Sequence, residues 1–540
     1  MTSELLPSAY EDTFARAALP PTELWPRLDI AALRVRYPAE VNAASEILDR
    51  AAERGFGGQI ALKGPGIAWS YDELIDKANR IAEVLQRDLG LKSGGRVLLR
   101  GFNTPMLAAC WFGVLKAGGI AVTTMPLLRA RELGAIVSKA EIGFALCEAS
   151  IADELDSVRG STLKTVVRFL DDGPEGLEAR MARATGAPIA HPASQDDVAL
   201  IAFTSGTTGA PKATIHFHRD VLAILDSVGE HVTRFAPGDV VTGSAPLGFT
   251  YGLGSLLLFP LRRGATSLLL PRVTPEFLRD AIRGEGVNTL MIGPTLYRAL
   301  TPLVEREDAA RLRLCCASGE ALPAAVLEAW RAKTGMTIRN LLGSTEMLHA
   351  FIAADERDPK PGSLGRPLPG YEAEVLDAEG RPAATGEVGR LAVRGPTGCR
   401  YLGDLAQQRK YVVDGWNLTG DSAWRDAEGA LWHHARTDEI IVSSGYNVSG
   451  LEIEHVLIEH PAVAACAIVG LPDAARGAVV AAFVVLRRPE EAGEALALSL
   501  QAYLKAELAP YKYPRVVRFL DALPLTETGK IARSRLKELA

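Results

Sequence analysis

The chain is 540 residues long, with 48% apolar and 23% charged residues and a formal net charge of −6. That length exceeds what one hydrophobic core usually serves, so at least two domains are expected. The composition is that of an ordered globular protein, and the negative balance gives no electrostatic reason to expect nucleic acid or an anionic membrane as partner. Six cysteines (Cys110, Cys147, Cys315, Cys316, Cys399, Cys466) lack the paired spacing of a metal or disulfide framework, so reduced thiols and a cytoplasmic location are expected. Met1–Tyr10 has no basic start or apolar core of a signal peptide, and no run of about 18 uncharged apolar residues suits a membrane span.

In chain order, strand-like and helix-like stretches alternate from about Ile60 to Leu300. Arg96–Arg100, Thr104–Ala117 and Ile120–Val122 form one such series; Asp239–Ser244, Leu253–Arg262 and Thr266–Leu270 form another. Alternation of this kind predicts α/β layers with mixed or parallel sheets. Trp111–Gly119 reads as a helix closed by a glycine cap and followed by a strand. The apolar run Val198–Phe203 has the length of a buried strand, and Leu312–Ala317 reads as another, with Cys315 and Cys316 inside it. Residues 362–400 are rich in Gly and Pro with short β-branched runs, which predicts a small β-rich subdomain. After Asp438 the pattern becomes a compact α+β unit: strand Ile440–Ser443, a helix over about 451–459, strands near Val463–Val469 and Val479–Leu486, a helix over 493–508, strand Val516–Phe519 and a final helix. The boundary therefore falls between 437 and 438.

Phe203-Thr204-Ser205-Gly206-Thr207-Thr208-Gly209-Ala210-Pro211-Lys212 follows the buried run directly. Gly206 and Gly209 let backbone approach a phosphate closely, Thr204, Ser205, Thr207 and Thr208 supply hydroxyls, and Lys212 supplies charge. The plain alternative is a polar loop between a strand and a helix. The Walker-type loop is excluded, because Ala210 and Pro211 separate Gly209 from Lys212 and Ala213 follows the lysine.

The loop resembles the phosphate loop of the adenylate-forming superfamily, which holds acyl- and aryl-CoA synthetases, peptide-synthetase adenylation domains and luciferases. Further motifs follow in the order of that superfamily and extend the resemblance over nearly the whole chain. Ser318-Gly319-Glu320-Ala321-Leu322 is similar to the segment along adenine. Leu342-Gly343-Ser344-Thr345-Glu346 is similar to the segment that touches the α-phosphate through Thr345 and holds Mg²⁺ through Glu346. Thr419-Gly420-Asp421 matches the ribose motif, with Arg436 as a second ribose contact, and Arg436-Thr437-Asp438-Glu439 matches the hinge at Asp438. Ser443-Ser444-Gly445-Tyr446-Asn447-Val448 resembles the glycine turn beyond the hinge, where Ser444, Gly445 and Tyr446 would face the pantetheine tunnel. Leu523–Ile531 resembles the C-terminal lysine loop and implies a catalytic role for Lys530.

The resemblance implies a large N-terminal multi-sheet α/β domain with a β-rich subdomain, and a small mobile α+β C-terminal domain that changes pose between adenylation and thiol transfer. It implies ATP and Mg²⁺, with CoA as acceptor. Without it, Glu346 also reads as a capping-box glutamate at a helix start, Asp421 with Arg436 as a surface salt bridge, and an isolated Thr-Gly-Lys makes Lys530 a solvated lysine.

Ala245–Gly254 and Gly343–Ala350, with Ser8–Arg16 and Gly445–Gly450, resemble the benzoate-CoA ligase branch and especially 2-aminobenzoate-CoA ligases. By that resemblance Phe249, Thr250, Tyr251, Gly343, His349 and Ala350 line the acid pocket. Gly248 and Ala350 stand where benzoate ligases carry an aromatic residue and an isoleucine, which implies a roomier pocket. Thr250 and His349 are candidates to bond a ring substituent, although a buried structural histidine is an equal reading of His349. A substituted benzoate, 2-aminobenzoate or a hydroxybenzoate, is the expected acid, for a monomer or homodimer. Gly450 and Ala435 depart from the proline and glycine usual near the hinge. Other readings are a carrier-protein-loading adenylation enzyme, a fatty acyl-CoA synthetase and a non-catalytic nucleotide sensor.

Overall fold

The computed structural model describes residues 5–158, 162–204, 211–356, 359–436, 440–443, 446–473, 477–508, 512–526 and 530–539. Two large sheets form the N-terminal part. One has six strands in the order 165–169, 144–148, 96–100, 120–124, 198–204, 212–217, parallel except for the last, antiparallel pair. The other is a continuous path that runs from 372–376 through 416–425 and 431–436 to 339–343, then through parallel strands 314–317, 289–291, 240–243, 266–268 and 60–64.

Strand alternation sets the layers. Val97 and Leu99 point into the core between the sheets while Leu98 points into a second core outside the first sheet. In the other sheet Met291 and Cys316 face the shared core, while Leu290, Ile292 and Cys315 face a third core around Trp330. Successive strand residues alternate faces, so a single run feeds two layers. The layer between the sheets contains Pro105–Lys116, every residue of which is buried. Thr104 starts this helix by accepting the Leu107 N–H at 3.2 Å, with Pro105 in the first turn, and Gly118 at φ 78° ends it.

The β-rich stretch after 362 is present, but it forms no separate sheet: Ser363–Pro367 bridges Ala350–Ala353 on one side and Leu431–Arg436 on the other. The N-terminal segment is tied to the core as well. Asp197 accepts from Ser8 Oγ and from the Ala9 N–H, and Tyr10 Oη lies 2.9 Å from His218 Nε2. All six cysteines are buried. Burial pushes the thiols up, Cys147, Cys315 and Cys316 to about 12.

Beyond residue 440, a two-stranded hairpin (440–443 with 446–449) and a three-stranded sheet (463–473, 477–486, 516–519) pack with helices Gly450–Leu457, Glu494–Glu507 and Arg533–Glu538. The expected junction at 437–438 lies outside the described residues, as does Asp438. No helix among the described residues is long and apolar enough to cross a membrane.

Candidate active site

The two strands that flank the glycine-rich loop pair antiparallel, with Thr204 opposite Lys212. The loop therefore closes a hairpin instead of joining a strand to a helix. Ser205, Gly206, Thr207, Thr208 and Gly209 lie outside the described residues. The exit strand reaches the Thr345–Glu346 turn by two routes. His216 Nε2 lies 2.9 Å from the Thr345 carbonyl and 3.1 Å from Thr214 Oγ1. Burial, helped by nearby Arg400, pushes this imidazole to about 3, so the ring is neutral and its Nε2–H donates to the carbonyl. Next to it, Thr214 bridges Tyr401, whose hydroxyl donates to Glu346 Oε1 at 2.8 Å.

Tyr401 is itself fixed from beneath. Arg400 and Asp220 form an ion pair at 2.8 Å with both side chains fully buried, and the guanidinium lies 4.3 Å from the centre of the Phe217 ring. The Arg400 carbonyl accepts the Ile215 N–H. The turn above is equally determined. Gly343 is needed there, because a Cβ would sit 2.6 Å from the His349 carbonyl oxygen. Leu348 adopts φ 69° in a tight turn closed by Met347 N–H to Ser344 and Leu348 N–H to Thr345, while Thr397 Oγ1 donates to the Met347 carbonyl. A side-chain-bearing residue in left-handed backbone persists only where its surroundings enforce it. Ser344, Thr345 and Glu346 are half-buried in a turn between two strands, so Glu346 is no helix-capping residue.

Ser318 and Ala321 are half-buried in the loop before Ala324–Thr334, with Gly319 and Glu320 exposed. Thr295 Oγ1 donates to Glu320 at 2.7 Å and holds this loop over the start of helix Pro294–Leu300. On the other side, Asp421 and Arg436 stand directly opposite one another in the ladder between 416–425 and 431–436. Asp421 is buried, and His433 Nε2 lies 3.2 Å from its Oδ1.

Phe249 and Tyr251 are half-buried at the start of Thr250–Leu253, and Thr250 is buried. His349 is only 2% exposed, stacked on Tyr251 at 5.3 Å and edge-on to Phe259 at 4.7 Å. Its Nε2 lies 3.2 Å from Ser255 Oγ and 3.3 Å from the Tyr251 carbonyl, and burial pushes it to about 3. The ring thus sits behind Tyr251 as a neutral buried group. Ala350 is likewise buried in its strand. The space left by a glycine at 248 is taken by backbone: a Cβ there would lie 2.6 Å from the Thr124 carbonyl oxygen.

Lys530 is exposed on a turn closed by Thr526 N–H to the Lys530 carbonyl and by a Leu525–Ile531 bridge, contacts internal to the C-terminal part. Ser443 and Tyr446 pair at the mouth of the hairpin, while Ser444 and Gly445 lie outside the described residues. Sequence reading missed Tyr401, His216 and His433, none of which lies in a motif. His433 reaches Asp421 across a strand ladder, whereas His216 and Tyr401 reach the Thr345–Glu346 turn by side-chain hydrogen bonds between segments distant in the chain. Among the described residues no three His, Cys, Asp or Glu gather as a metal site. The half-buried Glu346 carboxylate, oriented by Tyr401, nevertheless has the hard-oxygen chemistry that fits Mg²⁺, which is usually held by one or two carboxylates plus substrate phosphates.

The AMP-binding enzyme family model matches residues 48–401, and the AMP-binding enzyme C-terminal domain model matches 452–530. Benzoate–CoA ligase of Thauera aromatica is 33% identical over 510 residues, 93% of this chain and 97% of that protein. The 4-hydroxybenzoate–CoA/benzoate–CoA ligase of Rhodopseudomonas palustris is 34% identical over 512 residues, 93% of this chain and 94% of that one. Among solved structures, the anthranilate CoA ligase AuaEII in complex with anthranoyl-AMP matches with a TM-score of 0.87 at 31% identity, covering 93% of this chain and 98% of its own. The chain therefore belongs to the AMP-binding enzyme family, in the benzoate–CoA ligase branch of the adenylate-forming enzymes, and is an AMP-forming CoA ligase.

Proposed function

We propose that this enzyme adenylates a substituted benzoate with release of pyrophosphate and then passes the aroyl group to CoA with release of AMP. The observation that carries the proposal is the tie between the glycine-rich hairpin and the Thr345–Glu346 turn through His216 and Tyr401. It ties the strand that leaves the glycine-rich segment and the Glu346 carboxylate to one support, which favours the electrostatic stabilisation of a pentavalent phosphorus that this reading requires. In this reading Thr204–Lys212 cradles the phosphates, Thr345 contacts the α-phosphate and Glu346 would hold Mg²⁺, which offsets triphosphate charge. Ser318–Ala321 lines adenine and Asp421 with Arg436 clamps the ribose. Lys530 closes over carboxylate and phosphate when the C-terminal domain rotates about Asp438, and Ser444–Tyr446 then borders the thiol path.

Phe249, Thr250 and Tyr251 wall the acid site, with His349 and Ala350 behind them. The names of the relatives, which include 4-hydroxybenzoate, 3-hydroxybenzoate and anthranilate ligases, support 2-aminobenzoate or a hydroxybenzoate as the acid. Pyrophosphate release over a panel of benzoates and fatty acids, with mass identification of the CoA thioester, tests this. The expected product is an aminobenzoyl- or hydroxybenzoyl-CoA, and a clear preference for aliphatic acids would overturn the reading.

Tyr401→Phe removes the hydroxyl that orients Glu346. Groups that orient a metal-binding carboxylate typically matter by roughly 10–100-fold in metal affinity or activity. The half-saturating Mg²⁺ concentration in the pyrophosphate assay should rise accordingly, and an unchanged titration would refute the role of Tyr401.

A further inference from the structure

The ladder between 416–425 and 431–436 contains a one-residue irregularity. Asp421 faces Arg436 and Ser422 faces Ala435, but Ala423 faces His433, so His434 is an extra residue without a partner across the ladder. Side chains alternate faces along a strand, and an inserted residue switches the face of everything beyond it. Asp421 and Ala423 share one face, so the bulge is what delivers His433 to the side of the sheet where Asp421 lies. Without it, His434 would occupy that place.

The bulge is held from the C-terminal domain. Ser449 Oγ donates to the carbonyl of His434 at 2.5 Å, and the same hydroxyl accepts the Glu452 N–H at the start of helix Gly450–Leu457. A cavity of about 180 Å³ follows the contact, lined by Trp424, His433 and His434 from one domain and Leu451, Glu452 and His455 from the other. His433 spans the two environments. Its Nε2 is 3.2 Å from Asp421 Oδ1, and its Nδ1 is buried with no hydrogen-bond partner among the described residues.

We propose that His433 is a positioning residue for the ribose-binding carboxylate: its ring orients Asp421, and docking of the C-terminal helix through Ser449 fixes the bulge that aims the ring. The inference rests on the ribose role proposed for Asp421. It assigns to the β-bulge a specific task, which is to link the pose of the C-terminal domain to the grip on the adenosine diol.

The test compares ATP with its 2′,3′-dideoxy analogue in the pyrophosphate-release assay. For the unmodified enzyme and for Asp421→Asn, the ratio of the two KM values measures the grip on the diol. His433→Phe keeps an aromatic ring and removes the hydrogen bond. It should raise KM for ATP roughly tenfold, the scale of a hydrogen bond to a charged group, and change KM for the dideoxy analogue by less than about threefold. His433→Gln retains an N–H and should restore most of the ratio, whereas Ser449→Ala should shift it in the direction of His433→Phe. Equal effects of His433→Phe on both nucleotides, or none on either, would overturn the proposal while leaving Asp421 in place. If Asp421→Asn itself failed to lower discrimination for the diol, the ribose assignment would fall and the inference with it.

Discussion

Replacing Lys530 with alanine is expected to slow adenylation by at least roughly two to three orders of magnitude, the usual cost of removing one preorganised electrostatic contact. Thioester formation from a supplied aroyl-adenylate should be largely spared. The asymmetry follows from charge: attack of a carboxylate on a triphosphate brings two anions together, whereas attack of a thiol on the mixed anhydride does not. The Lys530 side chain is exposed and its backbone is held within the C-terminal part, so its removal should leave the fold largely intact, and under the proposed rotation it acts only when that part moves. Rapid-mixing measurement of both half-reactions decides the matter. Comparable loss in both would mean that the lysine serves folding or general binding.

The second large effect concerns Arg400 and Asp220. Both side chains are fully buried; Asp220 also accepts from the Phe217 N–H, and the guanidinium stacks on Phe217, while Arg400 Nε finds no hydrogen-bond partner among the described residues. Arg400→Met leaves a carboxylate buried without its counter-charge, and Asp220→Asn leaves a guanidinium in the same position. Breaking such a pair from one side costs about 3–5 kcal/mol, a large share of the stability of an ordinary domain. Urea unfolding followed by tryptophan fluorescence should show the N-terminal transition at markedly lower denaturant for either variant. Joint replacement by Met and Leu should recover part of the loss, because two apolar groups need no counter-charge although the Phe217 N–H loses its acceptor. Single variants that unfold within about 1 kcal/mol of the parent enzyme would contradict this account of the pair. Since Tyr401 follows Arg400 in the chain, residual folded protein should also bind Mg²⁺–ATP less tightly.

Contiguous features were legible in the sequence. The helix over 104–117, the buried strand at 198–203 and the order of the motifs each follow from a local pattern of apolar spacing, caps and glycines. The elements that complete the site were not local. Tyr401 meets Glu346 across 55 positions and His216 meets Thr345 across 129, through side-chain hydrogen bonds that no periodicity announces. The β-bulge at His434 is invisible in the sequence because a one-residue register change leaves no compositional trace. The β-rich stretch was recognised, but its fusion with the larger sheet depends on Ser363–Pro367 having two neighbours. At Gly248 the missing side chain implies open space, whereas the approach of the Thr124 backbone fills it.

The burial of all six cysteines bears on chemical safety during turnover. A mixed carboxylic–phosphoric anhydride is an acylating reagent, and a thiolate on the protein would compete with the intended acceptor. Thiols shut inside the core and held protonated by their surroundings offer no such nucleophile. The activated acyl group can thus wait between half-reactions for a sulfur that arrives from outside.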